Sequence, residues 1–250
     1  MSKQFEYKIL NLAGDLGELL LENGSEVYRV ENSISSLIKY FGFSSQCFAT
    51  LTCIIITLEN SNKEIISLVR RVKKREVNLN KVYKVSTLIK NLDKYEINTL
   101  ENNLRIIKLE NSYSFFINSF GNCIGASFFS ILFLGDFYNF ISSFFSGFLI
   151  SIFLKLSNKI NLGIFFTNLL GSFIVTSISY FFYHIYFISN PSITIISTLM
   201  LLVPGVSFIN SMRDIFAGDL VTGVSRLMEV LMIGSSIAVG SGIAINFFQN

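Results

Sequence analysis

The stretch 200–230, MLLVPGVSFINSMRDIFAGDLVTGVSRLMEV, decides the fold because it combines a helix break with a cluster of charges inside apolar sequence. Residues 111–250 contain only eight Asp, Glu, Lys or Arg residues, and five of them fall between positions 213 and 229. Pro204 cannot donate a backbone hydrogen bond and clashes with the carbonyl four residues earlier, so it predicts a broken helix. Broken backbone and ionisable groups at membrane depth mark cavities and transport pathways. We therefore predict a functional site at this break and the charged helical hairpin after it.

The rest of the sequence divides into two parts of very different polarity. The chain has 250 residues and a mean hydropathy of +0.54. Residues 1–110 contain 16 basic and 13 acidic residues, whereas residues 111–250 contain four of each. This contrast predicts a cytoplasmic α+β domain at 1–92, an amphipathic connector at 93–110 and a transmembrane bundle at 111–250. The net charge of +3 is too small and too interspersed to indicate a nucleic-acid partner.

The pattern of the first part predicts an ααββα domain. Apolar residues at helical spacing indicate helices over 5–23 and 25–41, with Ser25 as the cap of the second. Residues 46–58 and 64–72 are rich in β-branched side chains and predict a hairpin with its turn at 60–62. A third helix follows Asn78. The connector 93–110 has one apolar face, so it either lies along the membrane surface or simply joins the two domains.

The second part contains uncharged stretches long enough for five transmembrane helices. These are 111–135, 137–154, two within 160–212 that divide at 189–192, and 219–248. The expected fold class is therefore a mainly α membrane protein with five spans. Lys155, Lys159 and Arg213 would lie on the side of the N-terminal domain, so the positive-inside rule predicts a cytoplasmic N-terminus.

The charged hairpin has both structural and functional interpretations. Gly218 suits the end of one helix and Asp219 the N-cap of the next, which makes a tight turn. Arg226 and Glu229 lie deeper in the last helix and are three residues apart, so they can pair with each other. Alternatively, Arg226 binds a substrate carboxylate while Glu229, Asp214 or Asp219 meets an amine, a proton or a cation. The residues alone leave these alternatives open.

Two motifs resemble the threonine/serine exporter family. The first is LLLENGSEVYRVENSI at 19–34, and the second is LVPGVSFINSMRDIFAGDLVTGVSRLMEVLM at 202–232. The resemblance covers nearly the whole chain. The residues that carry the N-terminal motif are Glu22, Gly24, Ser25, Glu26, Arg29 and Val30. Those that carry the second motif, and that we take as candidate substrate- or ion-binding residues, are Pro204, Gly205, Arg213, Asp214, Gly218, Asp219, Arg226 and Glu229.

The resemblance implies a membrane exporter of small carboxylates in the cell inner membrane. It implies secondary transport of threonine and serine or, in some split members, of a dicarboxylate such as succinate. Full-length members have ten spans, so five expected spans resemble the larger subunit of the split form. A second, smaller multi-span membrane subunit is then the expected partner.

Two other function classes compete with transport. A regulatory or assembly subunit with a cytoplasmic binding domain would have the same sequence pattern. A membrane-anchored enzyme is a weaker alternative, with Glu26, Arg29 and Glu31 as an acid–base set. The three cysteines and the single His184 have no metal-ligand spacing, so we expect no catalytic residue, no metal and no cofactor.

Overall fold

The computed structural model describes residues 3–60, 62–110 and 113–249, which are mainly helical. These residues form two compact units. One unit contains the described residues of Met1–Asn111 together with Gly205–Leu227, and the other those of Ser112–Pro204 with Met228–Asn250. The predicted turn at 60–62 and the predicted span 111–135 each include residues outside the described ranges. The predicted domain limits at 92 and 110 stay predictions, because compact packing does not test where a functional domain ends.

The first unit is built on four N-terminal helices and a sheet. Helix α1 is followed after a short loop by α2, whose N-cap position is Glu26. Asn78 caps α3, because its side chain accepts a hydrogen bond from the Lys81 N–H. The second part of the unit comes from far along the chain, as α9 and the start of α10. The helices of this unit are α1 (Lys3–Glu22), α2 (Val27–Tyr40), α3 (Leu79–Lys90), α4 (Ile97–Leu109), α9 (Gly205–Phe216) and, as far as Leu227, α10 (Leu220–Gln249).

The sheet has three antiparallel strands, so the prediction of two strands was wrong. Strands β1 (Ser44–Ala49), β2 (Cys53–Glu59) and β3 (Ile65–Arg71) pair in that order. The predicted strand 46–58 is divided at Thr50, whose hydroxyl oxygen accepts from the Cys53 N–H at 3.2 Å. The turn contains no glycine, proline or asparagine, so its sequence carries none of the usual turn signals.

The helices of this unit form layers on one side of the sheet. Alternate β2 residues, Ile54, Ile56 and Leu58, are buried in a core shared with α1 and α2. Helices α3 and α4 contact α1. The connector predicted at 93–110 contains α4, and its Leu100 and Leu104 belong to the same core. The apolar face of the connector is therefore packed against the protein core of the first unit.

The second unit contains helices α5 (Phe115–Leu132), α6 (Phe137–Lys159), α7 (Ile164–His184) and α8 (Pro191–Leu199), together with α10 from Met228 onward. Four described helices are long and apolar enough to cross a membrane, namely α5, α6, α7 and α10. The fourth of the five predicted spans is not one helix. It is divided between α8 and α9, and the break lies where Pro204 interrupts the hydrogen bonding.

Hydrogen bonds between polar side chains set the direction of α8 relative to α6. The Asn139 amide donates to the Thr194 hydroxyl at 3.0 Å, and the Ser142 hydroxyl lies 2.8 Å from the same oxygen. Further along both helices, the Ser143 and Ser197 hydroxyls are 3.2 Å apart. The contacts therefore move toward the C-terminal end of both helices together, so α6 and α8 run parallel.

Helices α7 and α10 are also parallel and closely packed. A β-carbon added to Gly240 of α10 would collide with the backbone carbonyl oxygen of Leu169. Eleven residues further along α7, the Tyr180 hydroxyl accepts from the Gln249 amide at 3.0 Å. The Tyr180 ring also stacks on Phe248 with centroids 5.7 Å apart. The two helices therefore cross this unit in the same direction.

Gly240→Ala should destabilise the protein, because the new methyl group must push two helix backbones apart. Overpacking of this kind costs roughly 1–3 kcal/mol. The matched control is Gly242→Ala on the same helix, where an added β-carbon meets no atom within 4 Å. We expect the fraction of monodisperse protein left after heating in detergent to fall for Gly240→Ala alone. Equal heat resistance of the two variants would contradict this packing.

Candidate functional site

The turn between α9 and α10 has the geometry predicted for it. Gly218 has φ +97°, a left-handed conformation that favours glycine. The Gly218 N–H donates to the Ile215 carbonyl at 3.1 Å, and the Asp219 N–H donates to the Asp214 carbonyl at 2.9 Å. This is the Schellman arrangement that ends a helix. It reverses the chain so that the first turns of α10 lie beside α9.

Side chains of α9 and α10 bind residues 24–26 of the loop that joins α1 to α2, and also Val27, the first residue of α2. We call these contacts the polar clasp. Asn210 donates to the Gly24 carbonyl at 2.9 Å, and Arg226 donates to the Ser25 carbonyl at 3.3 Å. Arg213 donates to the Glu26 carboxylate at 2.7 Å, and Asp214 accepts from the Val27 N–H at 3.1 Å. The clasp thus joins the two sequence motifs, which are almost 190 residues apart.

Asp214 caps helix α2 from another part of the chain. Helix α2 begins at Val27, and the side chain at its N-cap, Glu26, makes no capping bond. The prediction that Ser25 caps this helix was wrong, because the Ser25 hydroxyl donates to the Glu26 carbonyl at 3.4 Å instead. The fully buried Asp214 carboxylate takes over the role, and its charge also suits the positive end of the helix dipole.

Arg226 faces the second oxygen of the same carboxylate. Its guanidinium lies 3.7 Å from Asp214 Oδ2, and both side chains are almost completely buried. This separation is an ion pair but too long for a hydrogen bond. In the described part of the chain, Asp214 Oδ2 has no hydrogen-bond donor. The carboxylate therefore retains capacity to accept a proton or another donor.

Glu26 is the second buried carboxylate of the clasp. It lies between Arg213, at 2.7 Å, and Arg29, at 3.2 Å. Burial raises the pKa of the Glu26 carboxyl, but its backbone hydrogen bond and the two guanidinium groups outweigh burial. The pKa consequently lies below its ordinary value. Glu26 is therefore ionised at neutral pH and holds both arginines.

Glu31 brings a third carboxylate into the same electrostatic environment. Its side chain accepts from the Ala49 N–H at 2.7 Å. Burial raises the pKa of Glu31, the Ala49 N–H opposes this effect, and the Asp219 and Asp214 carboxylates raise it further. The carboxylates of Glu31 in α2, Asp214 in α9 and Asp219 in the turn after α9 therefore interact electrostatically.

Several other predicted residues support the clasp loop or border it. The Glu22 carbonyl accepts from the Glu76 N–H at 2.7 Å. Gly24 has φ +87°, and a β-carbon there would lie 3.3 Å from the Glu76 carbonyl oxygen. Gly205 is the first residue of α9. Glycine at position 24 is therefore required by both backbone conformation and close packing.

Not every predicted site residue belongs to this cluster. Pro204 and Glu229 lie in the second compact unit, and the proposed pairing of Glu229 with Arg226 stays a prediction. The sequence reasoning also missed Asn210. The missed signal is the spacing of Asn210, Arg213 and Asp214, which places three polar side chains on one face of α9.

Asp214→Ala should destabilise the full chain, because it leaves the buried Val27 N–H without its acceptor and removes the negative charge that faces Arg226. The expected loss is about 1–3 kcal/mol, and Asp214→Asn should lose less because its carbonyl oxygen can still accept. Asp219→Asn is the matched control, since it removes the same charge at a position where asparagine also suits an N-cap. Heat resistance in detergent is the measurement. If Asp214→Ala unfolds at the same temperature as Asp219→Asn, the capping role is refuted.

Comparison with known proteins identifies the family. The family model of ThrE, described as threonine/serine exporters, matches residues 11–248. The threonine/serine exporter of Corynebacterium glutamicum is 25% identical over 251 residues, which cover 96% of this chain and 51% of that protein. The chain therefore spans about half the length of this curated relative. No solved structure matches. Because the family model covers almost the entire chain, including both motifs of the polar clasp, the chain belongs to the threonine/serine exporter family.

Proposed function

We propose that this multi-pass membrane protein is a subunit of an exporter of small carboxylates. The observation that carries the proposal is the polar clasp, in which both family motifs meet around a buried arginine and a buried aspartate. Arginine suits this role because its planar guanidinium can bind a carboxylate through two parallel hydrogen bonds. The acidic groups nearby offer acceptors for an amine, a proton or a cation.

The site chemistry fits two substrate classes. A hydroxy amino acid such as threonine or serine would place its carboxylate on Arg226 and its ammonium group on Asp214, Asp219 or Glu229. A dicarboxylate such as succinate would need a second cationic group, and Arg213 is the half-exposed candidate in the clasp. Threonine and serine are the substrates in the name of the Corynebacterium relative. Comparing efflux of these two classes would distinguish them.

The broken helix supports a secondary-transport mechanism. Helix α8 ends at Leu199 and α9 begins at Gly205, with Pro204 between them. Transporters use such discontinuous helices to present helix ends and free backbone groups to substrates and coupling ions. In the proposed mechanism, Pro204 and Gly205 border the substrate pathway, and Arg226 binds the carboxylate.

We also propose that α8 and α9 together make one membrane crossing, which gives five. The support is that α7 and α10 run parallel and are both candidate spans. If two consecutive spans run in the same direction, the chain between them must return across the bilayer. The return path is α8 and α9, which have 9 and 12 residues. Together they contain 21 residues, close to the roughly 20 that one membrane crossing needs.

Cysteine labelling in a variant without the three native cysteines tests this topology. Asn161→Cys, Ser189→Cys and Ala217→Cys place the label at exposed positions before α7, before α8 and after α9. We expect Asn161→Cys and Ala217→Cys to react from the cytoplasmic side and Ser189→Cys from the opposite side. Labelling of Ser189→Cys and Ala217→Cys from the same side would refute the fifth crossing.

A second, smaller multi-span subunit is the proposed partner. The chain matches about half of the Corynebacterium exporter, and the proposed subunit would supply membrane helices equivalent to the unmatched half. We place the complex in the cell inner membrane with the N-terminus of this chain in the cytoplasm, because Lys155 and Lys159 would then follow the positive-inside rule.

A regulatory role is the second candidate function. The clasp ties the loop between α1 and α2 to α9 and α10. A movement of the N-terminal helices would therefore shift Arg226 and Asp214. In this alternative the N-terminal domain controls a transport pathway that another subunit supplies.

Efflux from vesicles that contain both subunits tests the role of Arg226. Arg226→Lys should keep the charge but lose the bidentate geometry, and weaken substrate binding by about 1–3 kcal/mol. Arg226→Gln, Glu229→Gln and the double variant show whether the two charges only neutralise each other. Membrane abundance is measured for every variant. Recovery of efflux in the double variant, or an unchanged KM in Arg226→Lys, would contradict substrate binding by Arg226. Full efflux from vesicles that contain this chain alone would contradict the need for a second subunit.

A further inference from the structure

The chain passes between the first compact unit and the second at three places, after position 111, before Gly205 and after Leu227. The start of α3 makes contacts close to the first of these places and close to the loop that α10 binds. Helix α4 ends at Leu109, and span α5 begins at Phe115. The Lys81 ammonium group of α3 donates to the Lys108 carbonyl at 3.2 Å, next to this exit. On the other side, the Asn78 N–H donates to the carbonyl of Asn23, which adjoins the clasp loop held by α10.

Four large apolar side chains are exposed in this region. They belong to the first turns of α3 and the last turns of α4, at i,i+4 and i,i+3 spacings that put each pair on one helix face. We call them the anchor surface, and their exposed fractions show that the first unit leaves them uncovered: Leu79 56%, Tyr83 69%, Ile106 66% and Leu109 69%.

Basic side chains are concentrated around the anchor surface. Residues 73–84 contain five basic residues and one acidic residue, and residues 105–110 contain two basic residues and one acidic residue. The two acidic residues are Glu76 and Glu110, and Glu110 is paired with Lys84. Long basic side chains beside tyrosine and leucine are typical of the membrane–water interface, where the ammonium groups reach the phosphates.

Chain connectivity restricts what can cover this surface. Five residues lie between Leu109 and Phe115, so even a fully extended chain of six Cα–Cα steps holds Leu109 within about 20 Å of the first residue of the span. The loop that α10 holds through Arg226 also adjoins the start of α3, where the Asn78 N–H donates to the Asn23 carbonyl. From these contacts, the apolar side chains and the basic surplus, we infer that the anchor surface binds the bilayer interface through anionic lipid headgroups.

The absence of tryptophan from the sequence makes a direct test feasible. Tyr83→Trp and Leu109→Trp each introduce a single fluorophore into the anchor surface of the full chain. Phe48→Trp is the matched control, because Phe48 is 57% exposed on the sheet, on the far side of α1 and α2 from α3 and α4. The proteins are reconstituted into vesicles of phosphatidylglycerol and phosphatidylcholine with brominated acyl chains.

Tyr83→Trp and Leu109→Trp should lose at least half of their fluorescence to the bromine atoms, whereas Phe48→Trp should lose almost none. Replacing phosphatidylglycerol with phosphatidylcholine should reduce the quenching of Tyr83→Trp. The inference is overturned if Tyr83→Trp is quenched no more than Phe48→Trp, even when Leu109→Trp is quenched through its proximity to the span. A blue-shifted but unquenched Tyr83→Trp would indicate a protein partner and would also overturn the inference. Quenching of Tyr83→Trp that does not depend on lipid charge would overturn the role of anionic headgroups and thus the inference as well.

Discussion

The hydrogen bond from the Val27 N–H to Asp214 is the contact on which the arrangement of both motifs depends. It joins residues 187 positions apart and supplies the cap that α2 does not find in its own sequence. In the 3.1 Å bond the carboxylate accepts directly from the backbone, whereas the neighbouring Arg226–Asp214 pair at 3.7 Å is too long for a hydrogen bond, and burying its two charges costs hydration. The capping bond thus explains why the carboxylate is buried, and the arginine balances its charge.

The other clasp contacts follow from this placement. Once Asp214 is fixed at the start of α2, Asn210 and Arg213 lie on the same face of α9 and meet Gly24 and Glu26. The tight turn at Gly218 then returns the chain so that Arg226 reaches the Ser25 carbonyl. Gly24, Ser25 and Glu26 of the loop, and Val27 at the start of α2, thereby each receive a polar contact from α9 or α10.

Local sequence patterns predicted the parts of this architecture that depend on local chemistry. Gly218 at a helix end and Pro204 at a break each follow from the conformations that single residues allow. The turn at Thr50 was not predictable in the same way, because a threonine side chain replaced the usual turn residues. Asn210 and the capping of α2 were missed for another reason. Their partners are distant in sequence, so nothing next to them indicates where their hydrogen bonds go.

The distant cap of α2 has a consequence for biosynthesis. A ribosome produces α1, α2 and the sheet long before it reaches Asp214, and the sequence of three candidate spans lies between them. Until then the Val27 N–H must be solvated by water, and the loop before it has none of its final partners. The N-terminal domain therefore completes its folding only after most of the membrane part has been translated, and a ribosome that stalls before residue 214 leaves it with a frayed second helix.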